Sequence, residues 1–202
     1  MLTVDDPDPP SVPYRYVSPR QYLVRERAAE YKTEYNDGEL VAMAGVSRRH
    51  SLIATALMVS LVNQLRGRGC EVHGSDLRVK ADEGRRYVYP DVTVVCGKPK
   101  LEGKGPDVLT NPTVVFEILS GSTEQNDRGW KLDAYRRMPS VGEVVLLSQN
   151  EPAAEVYRRG PDGGWEALLP LRGIHALLRL DSIDCAVPLA DVYAGLSPAY
   201  AR

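Results

Sequence analysis

The 202-residue sequence holds only three cysteines, Cys70, Cys96 and Cys185, and no Cys-x-x-Cys pair. An odd set of this kind argues against a disulfide framework and a zinc knuckle. It predicts unpaired thiols in a reducing, cytoplasmic compartment. Charge of one sign is also lacking: 25 Lys and Arg stand against 27 Asp and Glu, a net charge of −2. That excludes a highly basic nucleic-acid coat and a polyacidic tail. It leaves a nuclease open, because local charge decides that case. No apolar run is long enough to cross a bilayer. The longest, residues 52–62, is short and is broken by Thr55 and Ser60. No membrane partner is therefore expected. The N-terminus lacks the basic, apolar, small-residue order of a signal peptide. No repeat of solenoid period is present. Residues 120–123, Ser-Gly-Ser-Thr, form a turn without a Gly-x-Ser-x-Gly elbow, which disfavours serine hydrolase chemistry. The glycines and lysines of residues 97–105 do not make a P-loop, so that stretch reads as a solvated linker or a phosphate-contacting loop.

What is present suits one folded domain. Apolar residues make up 43% of the chain, and a chain of this length buries roughly 70% of its unfolded surface. Residues 1–17 read as a flexible Pro-rich arm carrying Asp5, Asp6 and Asp8, and residues 18–202 as a single domain. Ser18-Pro19 predicts a helix start, with the helix running to about Tyr31. Asp37-Gly38 predicts a turn into a strand ending near Met43. Ser47 caps a long helix to about Arg66, whose apolar stripe includes His50, Ile53, Leu57, Leu61 and Leu65. Strands are predicted over 70–80 and 87–96, then over 113–120, a run apolar enough to be covered on both faces. A helix over 127–138, strands over 144–148 and 154–159, and a short helix over 189–194 complete the pattern. The fold class is α/β or α+β, a mixed sheet with helices before and within the strand series.

The informative residues are acids inside apolar strands. In Pro-Asp-Val-Thr-Val-Val at 90–95 Asp91 stands at the head of a strand, and Glu117 sits inside Val-Phe-Glu-Ile-Leu at 115–119. A buried carboxylate without a partner costs several kcal/mol, so Glu117 requires one. If the two strands pair, Asp91 and Glu117 stand close enough to share a hard cation, Mg²⁺ or Mn²⁺. Either acid alone is equally well explained by a buried Arg or a strand start. On the following helix, Asp127, Trp130, Lys131, Ala134, Tyr135 and Met138 form one stripe at helical spacing. Lys131 therefore points inward, as a snorkelling stem, as a partner of Asp127, or as a cation at the metal site. His50 lies on the apolar stripe of its helix and reads as a hydrogen-bonded core histidine. His73 and His175 show no ligand spacing. Arg78 contacts either a phosphate or an acid.

Taken in order, Asp-Gly-Glu-Leu at 37–40, the helix with His50, Ser-Asp-Leu-Arg-Val at 75–79, Tyr-Pro-Asp-Val at 89–92, Val-Phe-Glu-Ile-Leu and the Asp127, Lys131, Tyr135 series resemble the Uma-two family. That family groups restriction-type endonucleases of the PD-(D/E)XK nuclease superfamily, and the resemblance spans about residues 18–196. It implies a restriction-endonuclease-like core and a divalent metal held by Asp91 and Glu117. The superfamily places a lysine two residues after the second acid, where this chain has Leu119. The resemblance assigns that lysine to Lys131 on the next helix. It makes Glu39 a further ligand or a water-positioning group, and it gives His50, Arg78, Asp127 and Tyr135 supporting places. It implies nucleic acid, above all DNA, as substrate, and a homodimer as the acting unit. The alternative is a non-catalytic nucleic-acid-binding or dimerising module that retains the fold. Basic pairs at Arg48-Arg49, Arg85-Arg86, Arg136-Arg137 and Arg158-Arg159 are either solvated surface or a discontinuous phosphate track.

Overall fold

The computed structural model describes residues 16–43, 45–103 and 105–196. Most of the Pro-rich arm, its three aspartates and Lys104 lie outside these described residues. Helix α1 (Pro19–Ala28) begins where the sequence predicts. The Ser18 hydroxyl accepts from the Gln21 amide while the Gln21 side chain accepts from the Ser18 amide, closing a capping box ahead of Pro19. Strands β1 (Thr33–Asn36) and β2 (Glu39–Ala42) form a hairpin. Its turn residues, Asp37 and Gly38, both take positive φ, at 46° and 106°. Helix α2 (Arg48–Leu65) is capped by Ser47, which accepts from the His50 amide.

The chain continues through β3 (Cys70–Gly74), β4 (Arg78–Ala81), β5 (Arg86–Val88) and β6 (Val92–Cys96). Strands β7 (Val108–Leu109) and β8 (Val114–Leu119) follow. Then come helix α3 (Glu124–Asn126), a π turn (Asp127–Lys131) and helix α4 (Leu132–Arg136). Strands β9 (Glu143–Ser148), β10 (Ala153–Arg159), β11 (Trp165–Ala167) and β12 (Leu171–Arg172) precede a hairpin of β13 (Leu177–Leu180) and β14 (Cys185–Pro188). Helix α5 (Leu189–Val192) packs near the end.

Two mixed sheets carry the architecture, with helices against them. One has the order β2-β1-β5-β4-β7, the other β11-β10-β9-β8-β6-β3. Within the second, β8 and β9 run parallel and the other neighbours antiparallel. The strands predicted over 70–80 and 87–96 are each broken in two. In both cases the first half and the second half belong to different sheets. Pro90 sits at one of these crossings, where a missing N–H interrupts a ladder at no cost.

All six residues of β8 are buried, as a strand covered on both faces requires. Val114, Phe116 and Ile118 pack with Ile53, Leu57 and Leu61 of α2. Val115 and Leu119 pack with Leu132, Ala134 and Tyr135 of α4. Each such side chain contributes about 1.5–3 kcal/mol when fully buried.

The cysteine expectation is corrected. Cys70 and Cys96 are joined by a disulfide, and only Cys185 is free. The antiparallel register of β3 on β6 sets Cys70 directly opposite Cys96. Cysteine usage therefore gives no argument for a reducing compartment. Among the described residues no helix is long and apolar enough to cross a membrane.

Most arginines of the basic pairs already have partners within the protein. Arg85 pairs with Asp37, and Arg86 and Arg137 both pair with Asp82. Arg158 pairs with Glu143 and Asp181, while Arg159 donates to the carbonyls of Arg136, Met138 and Val141. The Arg136 guanidinium covers the Tyr157 and Trp165 rings. Arg49 donates to the carbonyls of Gln149 and Asn150.

Candidate active site

The pairing of β6 with β8 sets Val92 opposite Phe116, which brings Asp91 beside Glu117. Each carboxylate is held by the other's strand. The Ile118 amide donates to Asp91 Oδ2 at 2.7 Å, and the Asp91 amide donates to Glu117 Oε2 at 3.4 Å. On its other side Asp91 Oδ1 lies 2.9 Å from His50 Nε2. His50 thus has the hydrogen bond expected of a buried histidine, and its partner is a site acid.

Lys131 comes from the π turn. Such insertions in a helix recur at functional sites, and here Gly129 leaves helical geometry at φ −95° and ψ −115°. Lys131 Nζ stands 2.7 Å from Glu117 Oε1, 3.0 Å from Asp127 Oδ1 and 3.1 Å from Glu34 Oε1. One turn on, the Tyr135 hydroxyl donates to Glu117 Oε1 at 2.5 Å. The stripe read from the sequence therefore delivers Lys131 and Tyr135 to one carboxylate, with Asp127 against the Lys131 ammonium.

Burial sets the electrostatics. Glu117 is only 2% exposed and Lys131 only 5%. Burial pushes the Glu117 carboxyl well above its ordinary range, and the charges of Asp127, Asp91 and Glu34 push it further while Lys131 opposes them. Burial alone would lower the Lys131 ammonium, but Glu117, Glu34, Tyr135 and Asp127 outweigh it and hold the ammonium above its usual value. The two directions agree physically. Three carboxylates, Glu34, Glu117 and Asp127, surround the single lysine and Asp91 stands beside Glu117, so acids outnumber cations at the floor. Burial likewise raises the Tyr135 phenol, with Glu117 adding to it, so Tyr135 stays a neutral donor. Asp127 Oδ1 is buried without an aligned hydrogen bond, its contact with Lys131 being ionic only.

These groups form the floor of a cavity of about 250 Å³. One wall is the end of β2 with its connector to α2, including Val41, Met43 and Val46. Another part of the lining is the turn after β8, with Ser120, Ser122 and Thr123, extended by Asn126 and Gln149. Among the described residues no three His, Cys, Asp or Glu side chains form a ready ligand cluster.

The structure brings Asp91, Glu117, Lys131, Asp127 and His50 to the cavity, with Tyr135 behind Glu117. It does not bring Glu39 there. Glu39 is exposed on β2, an edge strand, paired with Asn36 across the hairpin. The acid that enters from this hairpin is Glu34, on β1, buried and accepting from the Tyr89 amide at 3.1 Å. The signal for Glu34 was present: a strand after an Asp-Gly turn implies a strand before it, and Glu34 is then an acid inside a strand, as Glu117 is. Arg78 is buried outside the cavity. It donates to the Tyr89 hydroxyl at 2.7 and 2.9 Å and pairs with Asp107 at 3.3 Å. Tyr89 in turn donates to Glu26.

Comparison with known proteins adds the following. The profile of the Uma2 family, described as putative restriction endonuclease, matches residues 19–187. A Synechocystis protein, slr1290, is 35% identical over 188 residues, covering 93% of this chain and 97% of its own length. A second Synechocystis protein, sll1609, is 33% identical over 145 residues, 72% of this chain and 82% of its own. Both are described as uncharacterized. The crystal structure of a putative nuclease belonging to DUF820 from Anabaena variabilis superposes with a TM-score of 0.71 at 17% identity, over 90% of this chain and 99% of that one. That likeness establishes a shared fold.

Proposed function

The chain belongs to the Uma2 family of putative restriction endonucleases, and from that membership and the buried acid cluster we propose that it is a metal-dependent endonuclease hydrolysing phosphodiester bonds of nucleic acid, DNA foremost. The observation that carries the reading is Lys131 Nζ at 2.7 Å from Glu117 Oε1, with Asp91 held against the same carboxylate.

The donor set fits Mg²⁺ or Mn²⁺. Mg²⁺ keeps several waters and takes one or two carboxylates, so it does not need three converging side chains. Asp91 and Glu117 are hard oxygen donors at the edge of a cavity. The excess of acids around them and the unaligned Asp127 Oδ1 favour an added cation. When bound, such an ion polarises a phosphate and lowers the pKa of a water.

The chain's own residues have distinct tasks. Ile118 and His50 fix both oxygens of Asp91. Tyr135 and Lys131 fix Glu117 Oε1. Glu34 and Asp127 hold the Lys131 ammonium at the floor, where it holds the attacking water or steadies charge building on the phosphate. A second reading, a non-catalytic nucleic-acid-binding module, is favoured by one observation: the oxygens of Asp91 and Glu117 already have protein partners. The homodimer belongs to the same proposal as a family-level expectation, and the cytoplasmic setting is proposed beside it without support from the cysteines.

The test is cleavage of end-labelled DNA and RNA with Mg²⁺ or Mn²⁺ and with chelator. Cleavage that requires the metal supports the enzyme. Binding without cleavage under all metals supports the second reading.

A further inference from the structure

The cavity has two unlike walls over an acid-rich floor. Val41, Met43 and Val46 make one wall apolar, while Ser120, Ser122 and Thr123 make the other a hydroxyl surface. Among the described residues lining it there is no arginine, and its one lysine is Lys131. That ammonium stands within 3.1 Å of three carboxylates, so its charge is offset locally and it does not act as a free phosphate-binding cation. The usual means of holding a nucleic-acid backbone, a row of free cations, is missing where the site acids lie.

The hydroxyl wall offers a replacement. Ser120 Oγ contacts Ser122 Oγ at 3.1 Å and Thr123 Oγ1 at 2.9 Å. Each contact consumes one hydroxyl proton, so among three hydroxyls one proton remains to donate. All three side chains line the cavity, a few residues beyond Glu117 on the same chain. The size is restrictive as well. At about 250 Å³ the cavity is smaller than the roughly 300–1,000 Å³ of sites that bury a drug-sized ligand. A duplex, whose major groove alone is about 12 Å wide, does not enter it, and the carboxylates sit at its floor.

We propose that the cavity takes one unpaired nucleotide at a time, its base against Val41, Met43 and Val46 and its sugar-phosphate against the Ser120, Ser122 and Thr123 hydroxyls, so that the substrate is a single-stranded or locally unpaired segment. This rests on the nuclease reading and narrows it. Neutral donors release few counterions, so binding depends weakly on salt. An apolar wall accepts any base face, so binding is tolerant of sequence.

The experiment is fluorescence anisotropy on the full chain in Mg²⁺, using a phosphorothioate single strand and its duplex as slowly hydrolysed probes, over a range of salt. The single strand binds at least tenfold more tightly than the duplex. Its log affinity falls with log salt with a slope shallower than about −2, fewer than three phosphates at about −0.7 each. Ser120→Ala with Ser122→Ala weakens single-strand binding several-fold without moving the melting temperature. A lone Ser122→Ala, at an exposed position, gives a smaller loss in the same direction should the double variant fold poorly. Equal or tighter duplex binding, or a slope steeper than −4, overturns the inference. Cleavage of unmodified strands is scored separately. Single-strand preference without any cleavage sinks the nuclease reading and keeps the nucleotide site, whereas cleavage of intact duplex at the single-strand rate does the reverse.

Discussion

Lys131 Nζ and Glu117 Oε1 stand 2.7 Å apart, the lysine on a π turn and the glutamate on a fully buried strand. The pair puts a lysine beside the second acid although position 119, two residues on, is leucine. Because both partners are buried, each depends on the other for charge balance.

Removing the lysine has a structural cost. From the sequence alone Lys131→Ala is expected to abolish cleavage in an otherwise folded protein. The structure adds that breaking a buried pair costs about 3–5 kcal/mol, here with three carboxylates left facing one another. Lys131→Ala lowers the denaturation midpoint accordingly, and Mn²⁺ or Mg²⁺ restores part of the loss. Chemical denaturation with and without metal measures both. An unchanged midpoint contradicts the buried cluster.

The same cluster predicts a pH dependence. The folded-state pKa of Glu117 lies above its ordinary 4.5 because of burial. The native state therefore holds a proton that the unfolded chain has released, from that value upward to the raised one. In this window stability falls as pH rises, and above it the penalty is complete. Lys131, whose ammonium is also held above its ordinary value, acts in the same direction, but only above 10.5, where its stabilising charge begins to be lost. Without metal the melting temperature falls as pH is raised from about 4.5, and Glu117→Gln flattens that slope. Calorimetry on both proteins checks this, and parallel curves count against it.

Metal acts through mass action. An ion that binds only the folded state adds about 2.7 kcal/mol at a hundredfold excess over Kd. Thermal melting with Mg²⁺ or Mn²⁺ shows a concentration-dependent rise in wild type and none in Asp91→Ala. A rise of equal size in both places the ion elsewhere.

The two hairpin acids separate structure from resemblance. Glu39→Ala, at an exposed edge position, leaves metal binding and melting unchanged. Glu34→Gln removes a carboxylate from Lys131 while keeping an acceptor for the Tyr89 amide, and it weakens metal binding severalfold. Isothermal titration compares the two. The reverse ranking restores Glu39 to the site.

The cysteine pair is checked by thiol counting. Denatured, unreduced protein titrates as one thiol, Cys185, and reduction raises the count to three. A disulfide of this kind contributes about 2–4 kcal/mol, so reduction lowers the melting temperature. Three thiols before reduction contradict the pairing.

Much of this was legible in the sequence where one period or one cap decides the outcome. The Ser18 and Ser47 caps, the apolar stripe of α2 and the stripe that carries Asp127, Lys131 and Tyr135 all depend on neighbours within a few positions. Asp91 and Glu117 were legible as acids in apolar strands. What escaped depends on contacts distant in sequence. Cys70 meets Cys96 only through the register of β3 on β6. The predicted strands over 70–80 and 87–96 break because the chain changes sheets, which no local pattern records. Glu34 was missed because β1 is four residues long and carries little alternation of its own.

The most direct test of the account is cleavage of a labelled single-stranded oligonucleotide by purified wild type and Glu117→Gln, side by side in Mg²⁺ and in chelator, with folding of both verified by circular dichroism. The account predicts metal-dependent cleavage by wild type and a loss of at least a hundredfold in the variant. Equal cleavage by the two proteins would contradict it.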